Sequence, residues 1–219
     1  MRIDSHTHIL PQMDDGSRSP EESLAMLREE RTQGVDLVVL TPHFYAAEND
    51  VAYFLKRRAA SWDRLRNILT PDLPQIRLGA EVQYFEGIGQ EEDLDALEIE
   101  GSRILLLEMP FSKWSKGMVR DILSLHGNRR QILLAHVERY LPFQTTDVWN
   151  LLLENGILMQ CNASFFRNWR TRRRAISLLR GGRIHMVASD CHDLEKRPPD
   201  LERAYQIIGS DVKFLRNEL

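Results

Sequence analysis

Histidine and carboxylate side chains recur along this 219-residue chain at the points where predicted strands end. The pattern takes in five of the seven histidines and three acidic residues, namely His6, His8, His43, Glu81, Glu108, His136, Asp190 and His192. In parallel α/β folds the carboxyl ends of the strands lie on one face, and that face carries the active site. We therefore expect residues spread from position 6 to position 192 to converge in space.

Imidazole and carboxylate groups that converge inside a protein indicate a multinuclear metal site. Acidic side chains are rarely buried without a partner, so an inward-facing cluster of them requires cations. Mixed nitrogen and oxygen ligands without thiolate favour zinc, manganese or iron over calcium, and they do not select among these three. Cys191 stands between Asp190 and His192. Because alternate residues of an extended segment face opposite sides, its thiol is predicted to point away from them.

Short runs of aliphatic and β-branched residues predict the strands that position these side chains. The runs are Val35–Leu40, Gln75–Leu78, Arg103–Leu107, Gln131–Ala135, Gly156–Gln160 and Ile184–Ala188, with a further short strand before His6. Nearly continuous apolar runs indicate strands that are covered on both faces, which is typical of a mostly parallel sheet.

Helical patterns lie between the predicted strands. Ser19-Pro20-Glu21-Glu22 combines an N-cap, a proline at the first helical position and acids in the first turn. That helix is predicted to stop before Gly34. Two others are predicted to open at Thr145 and to span 171–180. The β-α alternation, repeated about seven times, predicts one α/β domain over residues 1–219, built as a barrel or as an open sheet.

Composition excludes several classes of protein. Hydrophobic residues make up 42% and charged residues 28% of the chain, which is ordinary globular composition. The net charge of −3 gives no general attraction to nucleic acid. No apolar run approaches the roughly 20 residues of a membrane span, and two cysteines are too few for a disulfide framework. We expect a cytoplasmic protein that neither binds nucleic acid nor is embedded in a membrane, and no feature predicts its oligomeric state.

Several motifs resemble those of the PHP (polymerase and histidinol phosphatase) superfamily of metal-dependent phosphoesterases. Within it, the chain is most similar to the bacterial protein-tyrosine phosphatases of capsule and exopolysaccharide gene clusters. The segments that carry the resemblance are Ile3–Leu10, Asp14–Ser17, Thr41–His43, Gly79–Val82, Leu107-Glu108, Ala135–Tyr140, Gln160–Ser164, Ser189–Leu194 and Arg197–Pro199. They occur in order along nearly the whole chain.

The resemblance implies a distorted (β/α)7-type barrel with its active site at the C-terminal ends of the strands. It also implies three divalent metal ions, usually manganese, with iron or zinc as alternatives. By motif position, the first ion is held by His6, His8, Glu81 and Asp190, the second by Glu81, Glu108 and His136, and the third by Asp15, His43 and His192. Arg139 and Arg197 match positions that bind the substrate phosphate.

The implied function is hydrolysis of phosphotyrosine by metal-activated hydroxide. The implied partner is the phosphotyrosine-containing tail of a bacterial tyrosine kinase linked to capsule or exopolysaccharide synthesis. One alternative is a small-molecule phosphatase of the histidinol-phosphatase type on the same scaffold. Another is a non-catalytic metal-binding or scaffold protein, although every implied ligand position holds the expected residue type.

Three further features carry competing interpretations. Cys161 and Arg167 have the Cys-x5-Arg spacing of cysteine-dependent tyrosine phosphatases, but the loop between them has no glycine to wrap a phosphate. The basic segment 167–174 is either a solvated helix start or a docking surface for an acidic or multiply phosphorylated protein tail. Trp114 and Trp169 either line the mouth of the site or belong to the core.

Overall fold

Parallel strands and helices alternate in the computed structural model, which describes residues 1–90, 93–127, 130–216 and 219. The strands are β1 (Ile3–Thr7), β2 (Leu37–Leu40), β3 (His43–Phe44), β4 (Gln75–Leu78), β5 (Glu81–Gln83), β6 (Ile104–Glu108), β7 (Gln131–Leu134), β8 (Leu158–Asn162) and β9 (Met186–Ala188). The helices are α1 (Pro20–Thr32), α2 (Val51–Arg66), α3 (Lys116–Leu125), α4 (Thr146–Glu154), α5 (Ala163–Arg167), α6 (Arg172–Arg180) and α7 (Leu201–Ile208). The predicted α/β class is confirmed.

The strands form a curled parallel sheet. Their order is β1-β2-β4 in one part and β3-β5-β6-β7-β8-β9 in the other. The two parts are continuous. Pro42 lies between β2 and β3, and its carbonyl accepts a hydrogen bond at 3.1 Å from the N–H of Glu81, the first residue of β5, which follows β4. At the other edge, the Asp190 N–H donates to the His6 carbonyl at 3.0 Å. The segment after β9 therefore returns to β1, which matches the expected distorted barrel.

Two short strands were not predicted. The second and third predicted strands end at Leu40 and Leu78, as expected, but His43 and Glu81, which were placed at their ends, each lie in a further short strand, β3 and β5. Pro42 contributes to the break between β2 and β3 because proline has no N–H to donate to a ladder. The remaining predicted strands are confirmed to within a few residues.

The predicted helix signals have the expected physical roles. Ser19 is the N-cap of α1, and its side chain accepts a hydrogen bond from the Glu22 N–H. Gly34, with φ of +74°, follows the end of that helix in a left-handed conformation that glycine adopts without strain. Helices α4 and α6 begin at Thr146 and Arg172, close to the predicted positions.

Buried residues lie on both faces of the sheet. Alternate residues of β2 belong to different apolar clusters: Val39 packs in one with Leu106 and Leu133, whereas Val38 packs with helix residues such as Met26 in the other. This two-sided burial explains why the strands are nearly continuous apolar runs. Among the described residues, no helix combines the length and the apolar character needed to cross a bilayer.

His185, just before β9, predicts a pH-dependent component of stability. Its Nδ1 accepts a hydrogen bond from the Met159 N–H at 3.0 Å. Burial and the charge of Arg216 lower its pKa to about 4. A base whose folded-state pKa is lowered contributes stability above its unfolded pKa, near 6.5, and this stability is lost as the pH falls toward 4.

We expect His185→Asn to reduce the acid sensitivity of folding. Asparagine keeps a side-chain acceptor but does not titrate. When the pH is lowered from 7.5 to 4.5, the decrease in the free energy of unfolding should be about 1–2 kcal/mol smaller in the variant than in wild type. The difference is no larger because the ring is partly exposed, and solvent screens part of the effect. Urea unfolding of both proteins at the two pH values measures this difference. Parallel pH profiles would assign the acid sensitivity to other groups.

Candidate metal centre

Glu81 occupies the middle of a buried cluster of imidazole rings. Its Oε2 lies 2.9 Å from His43 Nδ1, 3.1 Å from His6 Nε2 and 3.3 Å from His8 Nε2. Its Oε1 lies 3.0 Å from His136 Nε2. The Glu81 side chain is only 1% exposed. A single carboxylate therefore faces four histidines that come from three different strand ends, since His6 and His8 both belong to the end of β1.

Two more buried carboxylates lie on either side of Glu81. Glu108 Oε1, at the end of β6, is 3.4 Å from His136 Nε2. Asp190 Oδ1, after β9, lies 3.6 Å from His6 Nε2 and 3.4 Å from His8 Nε2. Each carboxylate thus shares histidine neighbours with Glu81, as expected where ligands bridge adjacent cations.

The outer side of the centre opens to solvent at Asp15. Asp15 Oδ1 lies 3.5 Å from His43 Nε2 and 3.3 Å from His192 Nε2, and its side chain is 65% exposed. Three groups of ligand atoms are compact enough to hold an ion: His8, Asp15, His43 and His192; His6, His8 and Glu81; and His43, Glu81 and Glu108. The structure thus brings the nine predicted positions together, although His8, His43 and Glu81 each belong to two groups, and His136 and Asp190 contact the cluster without belonging to any of the three.

Hydrogen bonds fix the orientation of three of the imidazole rings. The Nδ1 atoms of His6, His8 and His192 donate to Gln160 Oε1 at 3.2 Å, to Asp14 Oδ2 at 2.7 Å and to the Asp190 carbonyl at 3.0 Å, respectively. Because each of these partners is an acceptor, Nδ1 carries the proton and the lone pair of Nε2 faces the centre. This arrangement is characteristic of metal-binding histidines.

Several buried polar atoms at the centre lack hydrogen-bond partners among the described residues. They are Glu81 Oε2, His43 Nδ1 and His192 Nε2. In addition, His6 Nε2 and His8 Nε2 approach to 3.1 Å. An unpartnered buried polar atom is costly, and a cation between these atoms removes that cost for all of them. The donor set therefore fits divalent metal ions.

The electrostatic balance of the cluster favours cations. Burial raises the pKa of Glu81, but the charge of His6 and hydrogen bonds from neighbouring imidazoles outweigh it and hold the pKa well below the ordinary value. Burial likewise raises the pKa of Asp190, but the charges of His6 and His8 and a hydrogen bond from His8 outweigh it and hold the pKa well below the ordinary value. For His136, burial lowers the pKa, but hydrogen bonds to carboxylates raise it to about 9. A bound cation replaces that imidazole proton, so metal binding releases protons.

The local backbone is strained at this centre. His136 and Asp190 have φ values of +31° and +56°, in the left-handed region that non-glycine residues seldom adopt. Such strain persists where the surrounding structure over-determines it, which is common at functional sites. Gly16 is required for a different reason, because a Cβ there would lie 2.1 Å from the His8 carbonyl oxygen. The loop that carries Asp15 therefore packs directly on the backbone of β1.

Two arginines meet at the rim of the centre. Arg139 Nη2 donates to Asp190 Oδ2 at 2.6 Å, and Arg197 Nη2 lies 2.9 Å from the same oxygen. Asn162 Nδ2 donates to it as well, at 2.8 Å. The two arginine side chains are 37% and 40% exposed. Their remaining N–H groups are available to an anion that approaches from solvent.

Comparison with known proteins identifies the family. Residues 2–213 match the family model described as capsular polysaccharide synthesis, CpsB/CapC. This chain belongs to the CpsB/CapC family. The resemblance found in the sequence motifs is thereby confirmed at the family level.

CpsB/CapC relatives carry phosphatase names. The chain is 30% identical to the tyrosine-protein phosphatase CpsB of Streptococcus pneumoniae, over 94% of this chain and 89% of the relative. It is 26% identical to the tyrosine-protein phosphatase YwqE of Bacillus subtilis, over 99% and 89%. A crystal structure from work on YwqE and CpsB, described as unique metal-dependent tyrosine phosphatases, superposes with a TM-score of 0.74 at 23% identity, covering 94% of this chain and 85% of that one.

The Cys-x5-Arg pattern does not form a nucleophilic site in this CpsB/CapC member. Cys161 is completely buried, and burial together with Glu138 raises the pKa of its thiol well above the ordinary value. Arg167 Nη1 is paired with Asp200 Oδ2 at 2.7 Å. A nucleophilic cysteine requires an accessible thiolate. Cys191 points away from the centre, as predicted, with its Sγ 3.8 Å from Glu30 Oε1.

Only part of the basic segment 167–174 is exposed and available to bind another molecule. Arg172 donates to the Phe166 and Arg167 carbonyls, whereas Arg173 and Arg174 are exposed. The two tryptophans differ, since Trp114 is buried in the core and Trp169 is 75% exposed. The docking interpretation of this segment stays a prediction.

Several polar residues that support the CpsB/CapC centre were not given roles from the sequence. Asp14 orients His8 and also accepts from the His43 N–H at 2.9 Å. Gln160 accepts from the His136 N–H at 2.7 Å as well as from His6. Tyr140, which is fully buried, places its hydroxyl 3.2 Å from His136 Nδ1. Asp14 and Gln160 lie inside the motifs that carry the resemblance, but only their contacts reveal what they do.

Proposed function

We propose that this protein is a metal-dependent protein-tyrosine phosphatase acting on the phosphotyrosine-containing tail of a bacterial tyrosine kinase linked to capsule or exopolysaccharide synthesis. The observation that carries the proposal is a cluster of imidazoles and carboxylates around Glu81, with two arginines on its open side. The capsular polysaccharide family and the phosphatase names of its relatives support it. The exposed rim favours a protein substrate. We place the reaction in the cytoplasm.

The proposed cofactor is a set of three divalent ions, with manganese first and iron or zinc as alternatives. One ion is assigned to His6, His8, Glu81 and Asp190, a second to Glu81, Glu108 and His136, and a third to Asp15, His43 and His192. Glu81 would contribute to both of the first two sites, in keeping with its position among four imidazoles. Because these residues extend from 6 to 192, residues 1–219 act as one functional unit.

The ions, when bound, supply a hydroxide nucleophile at neutral pH by lowering the pKa of water from 15.7 to about 7. Arg139 and Arg197 bind the phosphoryl oxygens of the substrate and neutralise the charge that develops on them. A guanidinium binds two oxygens at once through its planar fork. Asp190 holds both arginines on one oxygen atom, so their positions are set before substrate arrives. Asn162 holds Asp190 in turn.

The tyrosine leaving group lowers the demand on the protein for acid catalysis. The parent phenol has a pKa of about 10, so tyrosinate departs more readily than an alkoxide. The arginines need only hold the phosphoryl group while the bond to the phenolic oxygen breaks. The proposal therefore names no general acid.

The test is turnover of a phosphotyrosyl peptide by protein stripped with a chelator. Activity should be restored by Mn²⁺, Fe²⁺ or Zn²⁺ and should be absent without metal. Cys161→Ser, at a buried thiol outside the cluster, should keep kcat within about twofold of wild type, since buried cysteines are chemically inert.

Two outcomes would overturn the proposal. Metal-independent turnover that is lost in Cys161→Ser would establish cysteine chemistry instead. Metal-dependent turnover of a small alkyl phosphate, with none of the phosphotyrosyl peptide, would identify a small-molecule phosphatase.

A further inference from the structure

Phe111 exposes an aromatic ring at the edge of the metal centre. It lies in the loop after β6 and is 50% exposed. Its ring centroid is 5.8 Å from that of His136, and the Arg139 guanidinium carbon lies 5.8 Å from the same centroid. Single exposed phenylalanines are ordinary on protein surfaces. This one stands beside a proposed metal ligand and a proposed phosphate-binding arginine.

The loop that carries Phe111 is held on both sides. The Met109 N–H donates to the Tyr140 hydroxyl at 2.9 Å, and Trp114 Nε1 donates to the Pro110 carbonyl at 3.0 Å. Gln144 Nε2 donates to the Ser112 carbonyl at 2.7 Å, and its Oε1 accepts from the Trp114 N–H at 3.1 Å. These bonds order the loop without the help of a ligand.

The ring itself is supported from below. Phe111 stacks on the buried Tyr140 with centroids 5.6 Å apart and planes 26° from parallel. The rest of the ring faces solvent. Because this aromatic surface is already ordered, a ligand can bind to it without the entropic cost of ordering the loop and the ring.

We propose that Phe111 is the platform for the phenyl ring of the substrate, and that it makes the enzyme selective for aryl over alkyl phosphates. This inference rests on the proposed function. In phosphotyrosine a single ester oxygen separates the ring from the phosphorus, so a phosphoryl group bound by Arg139 brings the phenyl ring beside Phe111. Aromatic pairs associate with centroids about 4.5–7 Å apart, and the guanidinium carbon that would sit beside the phosphoryl group lies 5.8 Å from the Phe111 centroid.

Two other aromatic rings, Tyr45 and Phe214, differ from Phe111 in exposure or in position. Tyr45 stacks on His43 at 5.1 Å, with planes 21° apart, and is only partly exposed. Phe214 is 42% exposed but lies near the other end of the barrel, because the neighbouring Arg216 N–H donates to the carbonyl of His185, just before β9. Phe214→Ala is therefore the matched control.

The experiment compares Phe111→Ala, Phe111→Tyr and Phe214→Ala in metal-loaded protein. Phe111→Ala should lower kcat/KM for a phosphotyrosyl peptide about 10-fold, the size expected for a lost aromatic contact and its buried surface. The kcat/KM of Phe111→Tyr, which keeps the ring, should stay within about threefold of the wild-type value. The control Phe214→Ala should have the wild-type value.

Binding of two non-hydrolysable phosphonates gives a readout that does not depend on turnover. By calorimetry, Phe111→Ala should reduce the ratio of the affinities for benzylphosphonate and methylphosphonate about 10-fold, because only the first has a ring. Metal content and melting temperature report on folding.

An unchanged ratio, or an equal loss for both phosphonates, would overturn the platform assignment. Failure of wild-type protein to hydrolyse the phosphotyrosyl peptide would instead refute the proposed function. The two failures therefore appear in different assays.

Discussion

Glu81→Gln is expected to remove nearly all phosphatase activity and part of the bound metal. The Glu81 carboxylate faces four imidazole rings at 2.9–3.3 Å, and glutamine replaces one of its oxygens with an amide nitrogen that cannot bind a cation. Changes to residues that only orient a metal ligand already cost 10- to 100-fold in affinity or activity. Loss of a proposed metal ligand itself should therefore lower kcat/KM by more than about 100-fold.

Two measurements separate this effect from a general loss of structure. Metal per chain, from elemental mass spectrometry, should fall together with activity, while circular dichroism should keep its native shape. Glu98→Gln is the matched control, because Glu98 accepts from Arg130 Nε at 2.7 Å outside the cluster. A Glu81→Gln protein that retained full metal content and turnover within tenfold of wild type would remove Glu81 from the centre.

The strand ends were the most predictable part of this site. A parallel sheet places all its carboxyl ends on one face, so His6, Glu108 and His136 could be placed together from local apolar patterns alone. Each follows or ends a run whose periodicity is a local property of the chain. The structure brings them together, although metal binding by them remains a prediction.

Other features depend on contacts between distant segments and had no local signal. The division between β2 and β3 places His43 in its own short strand, where it pairs in register with Glu81 of β5. Asp14 could equally have capped a turn, and only the packing of its loop on β1 shows that it orients His8. The position of Phe111 likewise depends on Tyr140, which lies 29 residues further along the chain.

The backbone at the ligands shows a further limit of sequence patterns. His136 and Asp190 were expected directly after regular strands, yet both adopt left-handed conformations. Local propensity disfavours this region for residues that have a Cβ. Tertiary hydrogen bonds, such as the one from the His136 N–H to Gln160, stabilise the conformation that propensity opposes. Strain of this kind cannot be inferred from residue types.

Arg139→Ala is expected to abolish most turnover while leaving the metal in place. Arg139 contacts Asp190 through the oxygen Oδ2, whereas Oδ1 faces the histidines. Arg197 and Asn162 continue to hold Oδ2 when Arg139 is removed. Loss of one group that stabilises developing charge lowers kcat by about 10²–10³-fold, and we expect a decrease of that size.

Arg139→Lys distinguishes charge from geometry at the same position. Lysine keeps the positive charge but has no planar fork for two phosphoryl oxygens, so it should recover only part of the lost activity. Arg180→Ala is the control, because Arg180, the last residue of α6, pairs with Asp211 outside the cluster and its loss should not affect kcat. If Arg139→Ala lost its metal along with its activity, the arginine would instead position Asp190. Normal turnover of that variant would remove it from phosphate binding altogether.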